Sequence, residues 1–210
     1  MSRLRMRRVA RCFLVSMLAA LASTALQAHQ GEHAMPKADA AAVPASDPRD
    51  ARSYFTDTRL LTQEGQSVRF YSDVLADKVV LINVVFTHCD DACPLITRKL
   101  REVRDQLGAR FGKDVHFISI SIDPERDTPQ ALKGFARAQG VDVPGWIFLT
   151  GPKDDVSRVL ARLGQLTPSA EAHSTLLIAG NVGAKRWSKI RPDAPVAAIA
   201  ERLQLLAGAP

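Results

Sequence analysis

A chain of 210 residues, 46% hydrophobic and 24% charged, is long and apolar enough for one domain with its own core. Its formal charge of +6 would suit an anionic partner, yet Arg3, Arg5, Arg7, Arg8 and Arg11 crowd the first eleven residues without an acid among them. Without residues 1–28 the charge is +1, which removes the basis for a nucleic-acid partner.

Those arginines precede a mostly apolar stretch, residues 13–26, which ends at Ala25-Leu26-Gln27-Ala28. This three-part layout predicts a secretory signal peptide over residues 1–28, cut after Ala28, with Ala25 as the second choice. The rival is an uncleaved N-terminal anchor, since about 17 apolar residues just span a bilayer. Val9-Ala10 after Arg7-Arg8 argues against twin-arginine export. The expected location is the periplasm. Cys12 leaves with the leader, so the mature chain keeps two cysteines, Cys89 and Cys93, where disulfides persist. Residues 29–52 are rich in Ala, Pro, Asp and Lys without an apolar period, and read as a flexible tether. They carry His29, His33 and Met35; a free amine at His29 would chelate beside its imidazole, although a solvated tail accounts for the composition.

The domain is then expected over residues 53–210. Residues 58–70 predict a hairpin turning at Glu64-Gly65-Gln66. Residues 79–85 are apolar throughout and predict a buried central strand. Ile96, Leu100, Val103, Leu107 and Phe111 recur with helical spacing, opposite Arg98, Lys99, Arg101, Glu102, Arg104 and Asp105, which predicts an amphipathic helix after Pro94. A second buried strand follows over 115–122. Thr128 as N-cap and Pro129 as first residue open a helix to about Gly140. A short strand at 146–149 precedes a helix at 153–163 stopped by Gly164. Strands at 175–179 and 185–190 pair across a 181–183 turn, before a last helix over about 195–206. After the hairpin the order is β-α-β-α-β-α-β-β-α, an α/β layered domain. With a cysteine pair after the first long strand it is thioredoxin-like.

Cys89 and Cys93 sit where the apolar strand gives way to that first helix. Thiols at i and i+4 share a helix face about 6 Å apart, close enough for a disulfide or for a soft metal. His173 precedes a later apolar run, and two thiolates with an imidazole make a three-donor set suited to copper. A helix N-terminus is expected to stabilise thiolate, while Asp90 and Asp91 oppose it and attract cations. Zinc would want a fourth ligand. His88 is read as packed or solvated, pointing away from Cys89 by strand alternation. A merely structural disulfide is the plain alternative for the pair. Asp123, Glu125, Arg126 and Asp127 are assigned to a turn and helix cap, with support of the site from behind as the alternative. Trp146 and Trp187 are read as packing residues.

The segment from Phe86 through Cys89 and Cys93 to Pro94, the Ser119–Pro129 segment ending Asp-Pro-Glu-Arg-Asp-Thr-Pro, and His173-Ser174 resemble the Sco/SenC family in order and spacing. The resemblance covers roughly Tyr54 to the C-terminus. It implies a thioredoxin fold, copper bound through Cys89, Cys93 and His173, and a role in assembling the dinuclear copper centre of cytochrome c oxidase. The chain departs from the family in having Asp90 where proline usually follows the first cysteine, and in a shorter stretch from Gly164 to His173. Ser174 falls where the thioredoxin fold has a proline, which sets His173 toward the cysteine pair.

Two functions follow. One is a metallochaperone, not an enzyme, that passes copper to an apo cytochrome c oxidase subunit and works as a monomer. The other is a thiol–disulfide oxidoreductase that reduces the cysteines of that target with Cys89 or Cys93 as a redox-active pair. A peroxiredoxin is disfavoured because Phe86 stands where its threonine should.

Overall fold

The computed structural model describes residues 51–89, 92–170 and 172–208. The expected leader and nearly all of the tether lie outside the described residues; the last two tether residues, Ala51 and Arg52, instead open a short helix. The predicted hairpin forms from β1 (Arg59–Thr62) and β2 (Ser67–Arg69), paired antiparallel, with Gly65 in the turn at a φ of 77°. It is followed by β3 (Val79–Val85), β4 (Val115–Ser121), β5 (Trp146–Thr150), β6 (Leu177–Asn181) and β7 (Arg186–Ile190). The seven strands form one sheet in the order β2-β1-β5-β4-β3-β6-β7. β3, β4 and β5 run parallel, whereas β6 and β1 pair antiparallel with the two ends of that trio and β7 with β6.

All seven residues of β3 are buried, because both faces of the sheet are covered. Leu81 and Val85 point to a layer containing Leu100 and Val103 of α2 (Ala92–Leu107), Leu132 of α3 (Pro129–Ala138) and Ile199 and Leu203 of α5 (Val196–Ala207). Val80, Ile82 and Val84 point the other way. They join Phe55 of α1 (Ala51–Phe55), Phe70 and Val74 of a π-helical turn at Phe70–Leu75, and Val156 and Leu160 of α4 (Lys153–Leu163). The predicted caps are present: Thr128 Oγ1 accepts from Ala131 N at 3.2 Å, and Gly164 ends α4 with a φ of 65°.

Three local expectations change. The first helix starts at Ala92, so Cys93 and Pro94 both lie in its first turn, where proline's missing N–H removes no helical bond. The last pair of strands is shifted, with β6 at Leu177–Asn181 instead of 175–179. Trp146 packs as expected, but its Nε1–H also donates to Ser119 Oγ (2.9 Å), which donates to Asn83 Oδ1 (2.8 Å). This chain of bonds links Asn83, Ser119 and Trp146 across β3, β4 and β5.

Candidate metal centre

The parallel trio fixes where the chemistry sits. β3 and β4 end together, Val85 level with Ser121, and the segments leaving them meet above the sheet. After Val85 the chain turns through residues 86–89, closed by Cys89 N–H donating to Phe86 O at 3.3 Å. α2 opens three residues later, and Cys93 N–H donates to Cys89 Sγ at 3.3 Å. Cys89 thus serves one of the unpaired amides at the helix N-terminus, the task usually given to an oxygen. Both thiols are free. Asp90 and Asp91 lie outside the described residues.

The two thiols differ sharply in environment. Cys89 is half-buried, while Cys93 is 1% exposed. Burial pushes the Cys93 thiol from an ordinary 9.0 up to about 12. A hydrogen bond from the Phe86 backbone pulls it back in part, and Cys89 and Asp127 push it further up. The helix N-terminus was expected to favour thiolate here; the loss of water outweighs it.

His173 comes from the loop between α4 and β6. Its ring stands edge-on to Phe86, with centroids 5.4 Å apart and planes at 86°. Phe86 therefore touches the imidazole with its ring and the Cys93 sulfur with its backbone. Nδ1 of His173 lies 2.6 Å from Ala170 O, which can only accept, so Nδ1 carries the hydrogen. Nε2 is left as a bare lone pair, buried and without a hydrogen-bond partner. A buried acceptor of this kind ordinarily finds a donor; an electrophilic ion fills the same need. Among the described residues, no three His, Cys, Asp or Glu side chains stand close enough together to hold a metal. The cysteines meet each other directly, and His173 is linked to them through Phe86.

Asp127 was assigned with Asp123, Glu125 and Arg126 to the turn, and the structure separates them. Asp123 pairs with Arg126, Glu125 pairs with Lys153 at the surface, and Thr128 caps α3. Asp127 instead turns inward, with 0% exposure. Its Oδ1 accepts from Thr87 N (3.0 Å) and Thr87 Oγ1 (2.6 Å), and its Oδ2 accepts from Ser121 Oγ (2.6 Å). The carboxylate thereby pins the turn that carries Cys89 to the end of β4. Two aspartates four apart gave no sequence signal of which one is buried; the pairing of β3 with β4 decides it.

Residues 46–175 match the SCO1/SenC family. A homologue of SCO1 from Bacillus subtilis is 38% identical over 89 residues, which are 42% of this chain and 45% of that one. The human mitochondrial SCO1 homologue is 36% identical over 81 residues, 38% of this chain and 26% of that one. The chain thus matches less than half the length of these curated relatives. Among solved structures, copper-bound ScoI of Bradyrhizobium japonicum aligns with a TM-score of 0.59 at 26% identity, covering 71% of this chain and 96% of that one. BsSco, whose structure is described as containing a disulfide switch, aligns at 0.61 and 25% identity over 71% and 90%. The likeness bears out the thioredoxin-like α/β fold, and the family match extends through both cysteines and His173: the chain belongs to the SCO1/SenC family.

Proposed function

We propose that this chain is a copper carrier that holds one ion through Cys89, Cys93 and His173 and delivers it to the dinuclear copper centre of cytochrome c oxidase. The observation that carries the reading is the His173 Nε2 lone pair, buried without a partner and joined through Phe86 to the cysteine pair. The donor chemistry fits: two sulfurs and one neutral imidazole match a soft ion of low coordination number. The hydrogen bond from Nδ1 to Ala170 O orients the His173 ring and makes Nε2 its ligating atom. Cys93 must give up a proton on binding. Copper bound to relatives such as ScoI of Bradyrhizobium japonicum supports the choice of metal.

A second reading has its own observation. A half-buried Cys89 beside a Cys93 with 1% exposure is the asymmetry of an attacking and a resolving thiol, as in thiol–disulfide exchange on a partner's cysteines. Replacing His173 separates the two. His173→Ala leaves both thiols in place, so exchange persists while copper binding weakens. A His173→Ala strain that assembles oxidase normally at limiting copper would favour the reductase. For either job the domain works outside the cytoplasm, exported by a leader over residues 1–28 that is cleaved or kept as an anchor; no helix among the described residues is long and apolar enough to cross a membrane.

A further inference from the structure

β3 ends at Val85, so strand alternation no longer sets the direction of His88; it occupies the turn at residues 86–89 and is exposed. Its Nδ1 lies 3.1 Å from Thr87 Oγ1. The single hydroxyl hydrogen of Thr87 is committed to Asp127 Oδ1 at 2.6 Å, a charge-assisted bond to a fully buried carboxylate. Thr87 Oγ1 can then only accept from His88, so the hydrogen of the His88 ring sits on Nδ1. Nε2 carries the free lone pair. A buried carboxylate, a relaying hydroxyl and an oriented imidazole form the outer support typical of a metal-ligating histidine, here with an alcohol interposed. Exposure falls from His88 to Cys89 to Cys93 along the same short segment.

We propose that His88 is a further copper ligand, making first contact with incoming ions at the surface and handing them to Cys89, with Thr87 and Asp127 fixing its tautomer. This rests on the copper-carrier reading. The exchange balances simply: a bond from His88 Nε2 to copper forms as the donor's bond breaks, and a sulfur bond from Cys89 then replaces it. The copper valence is unchanged. The lone pair used is that of Nε2 in the tautomer Thr87 selects, and the proton displaced from a thiol goes to water.

The test is the rate at which the reduced protein takes Cu(I) from its bicinchoninate complex, followed by stopped-flow loss of that complex's colour, with final occupancy read from the same traces. His88→Ala should slow uptake by roughly tenfold or more while occupancy stays at the wild-type value, since Cys89, Cys93 and His173 remain. Added imidazole should restore the rate, which a merely structural effect would not allow. Thr87→Val, which keeps His88 but frees its tautomer, should also slow uptake. Wild-type rates in His88→Ala, or slow uptake that imidazole does not rescue, would overturn the role of His88. Wild-type rates in Thr87→Val would overturn the tautomer argument. If the wild-type protein itself takes up no Cu(I), the copper-carrier reading fails, and this inference with it.

Discussion

The two thiols should react at very different rates with a small alkylating agent, and the structure sets the size of the difference. At pH 8 a thiol of ordinary pKa 9.0 is about one-tenth thiolate, whereas Cys93, pushed up to about 12, is about one ten-thousandth thiolate. Thiolate fraction alone therefore slows Cys93 about a thousandfold relative to an unperturbed cysteine, before its 1% exposure restricts access. Timed iodoacetamide labelling of the reduced protein, read by peptide mass, should show Cys89 modified long before Cys93. Equal rates, or faster labelling of Cys93, would refute the claim that burial outweighs the helix N-terminus. The same shift has a stability consequence. The folded state holds the Cys93 proton more tightly than the unfolded chain, so its contribution is complete below about pH 9 and is lost as pH rises toward about 12. Copper binding through the Cys93 thiolate should likewise release a proton, which alone contributes up to about tenfold in apparent affinity per pH unit over the neutral range.

Gly180→Ala should destabilise the domain by about 1–3 kcal/mol, measured by urea unfolding, because a Cβ there would run into the ring of Trp187 on the neighbouring strand; an unchanged midpoint would show that the ring swings away freely. Burial lowers the His116 pKa below 6.5, so its neutral form stabilises the fold above that pH and the contribution is lost on acidification through the folded value. Thermal unfolding at pH 7.5 and 5.5 should show the loss, and a histidine NMR titration placing His116 above 6.5 would contradict it. Intact mass of natively exported protein should begin at His29; a mass that includes residues 1–28 would favour the anchor.

The parts of this fold written in local pattern were legible, and those set by tertiary pairing were not. β3 was recognisable because both its faces are buried, and α2 because its apolar residues recur with helical period. The π-helical turn at Phe70–Leu75 left no period to read; Phe70, Val74 and Leu75 are placed by packing under the sheet. At the site, Cys89, Cys93 and His173 stood out by residue type and spacing. Asp127 did not, because its inward course depends on Thr87, forty residues earlier, arriving beside it across the parallel strands. His88 is solvated, one of the two places the sequence allowed it, although β3 ends before it and strand alternation is not the reason. The direction of the Cys93 shift was not legible, because helix position and neighbouring charge are local, whereas burial belongs to the whole domain.

Titration of the reduced mature chain with Cu(I), combined with X-ray absorption of the loaded protein, tests the central claim most directly. One ion per chain should bind, with two sulfurs and one nitrogen around it, the nitrogen disappearing in His173→Ala and binding abolished when Cys89 and Cys93 are oxidised to a disulfide. Stoichiometric copper retained by the Cys89→Ser/Cys93→Ser double variant would contradict the account.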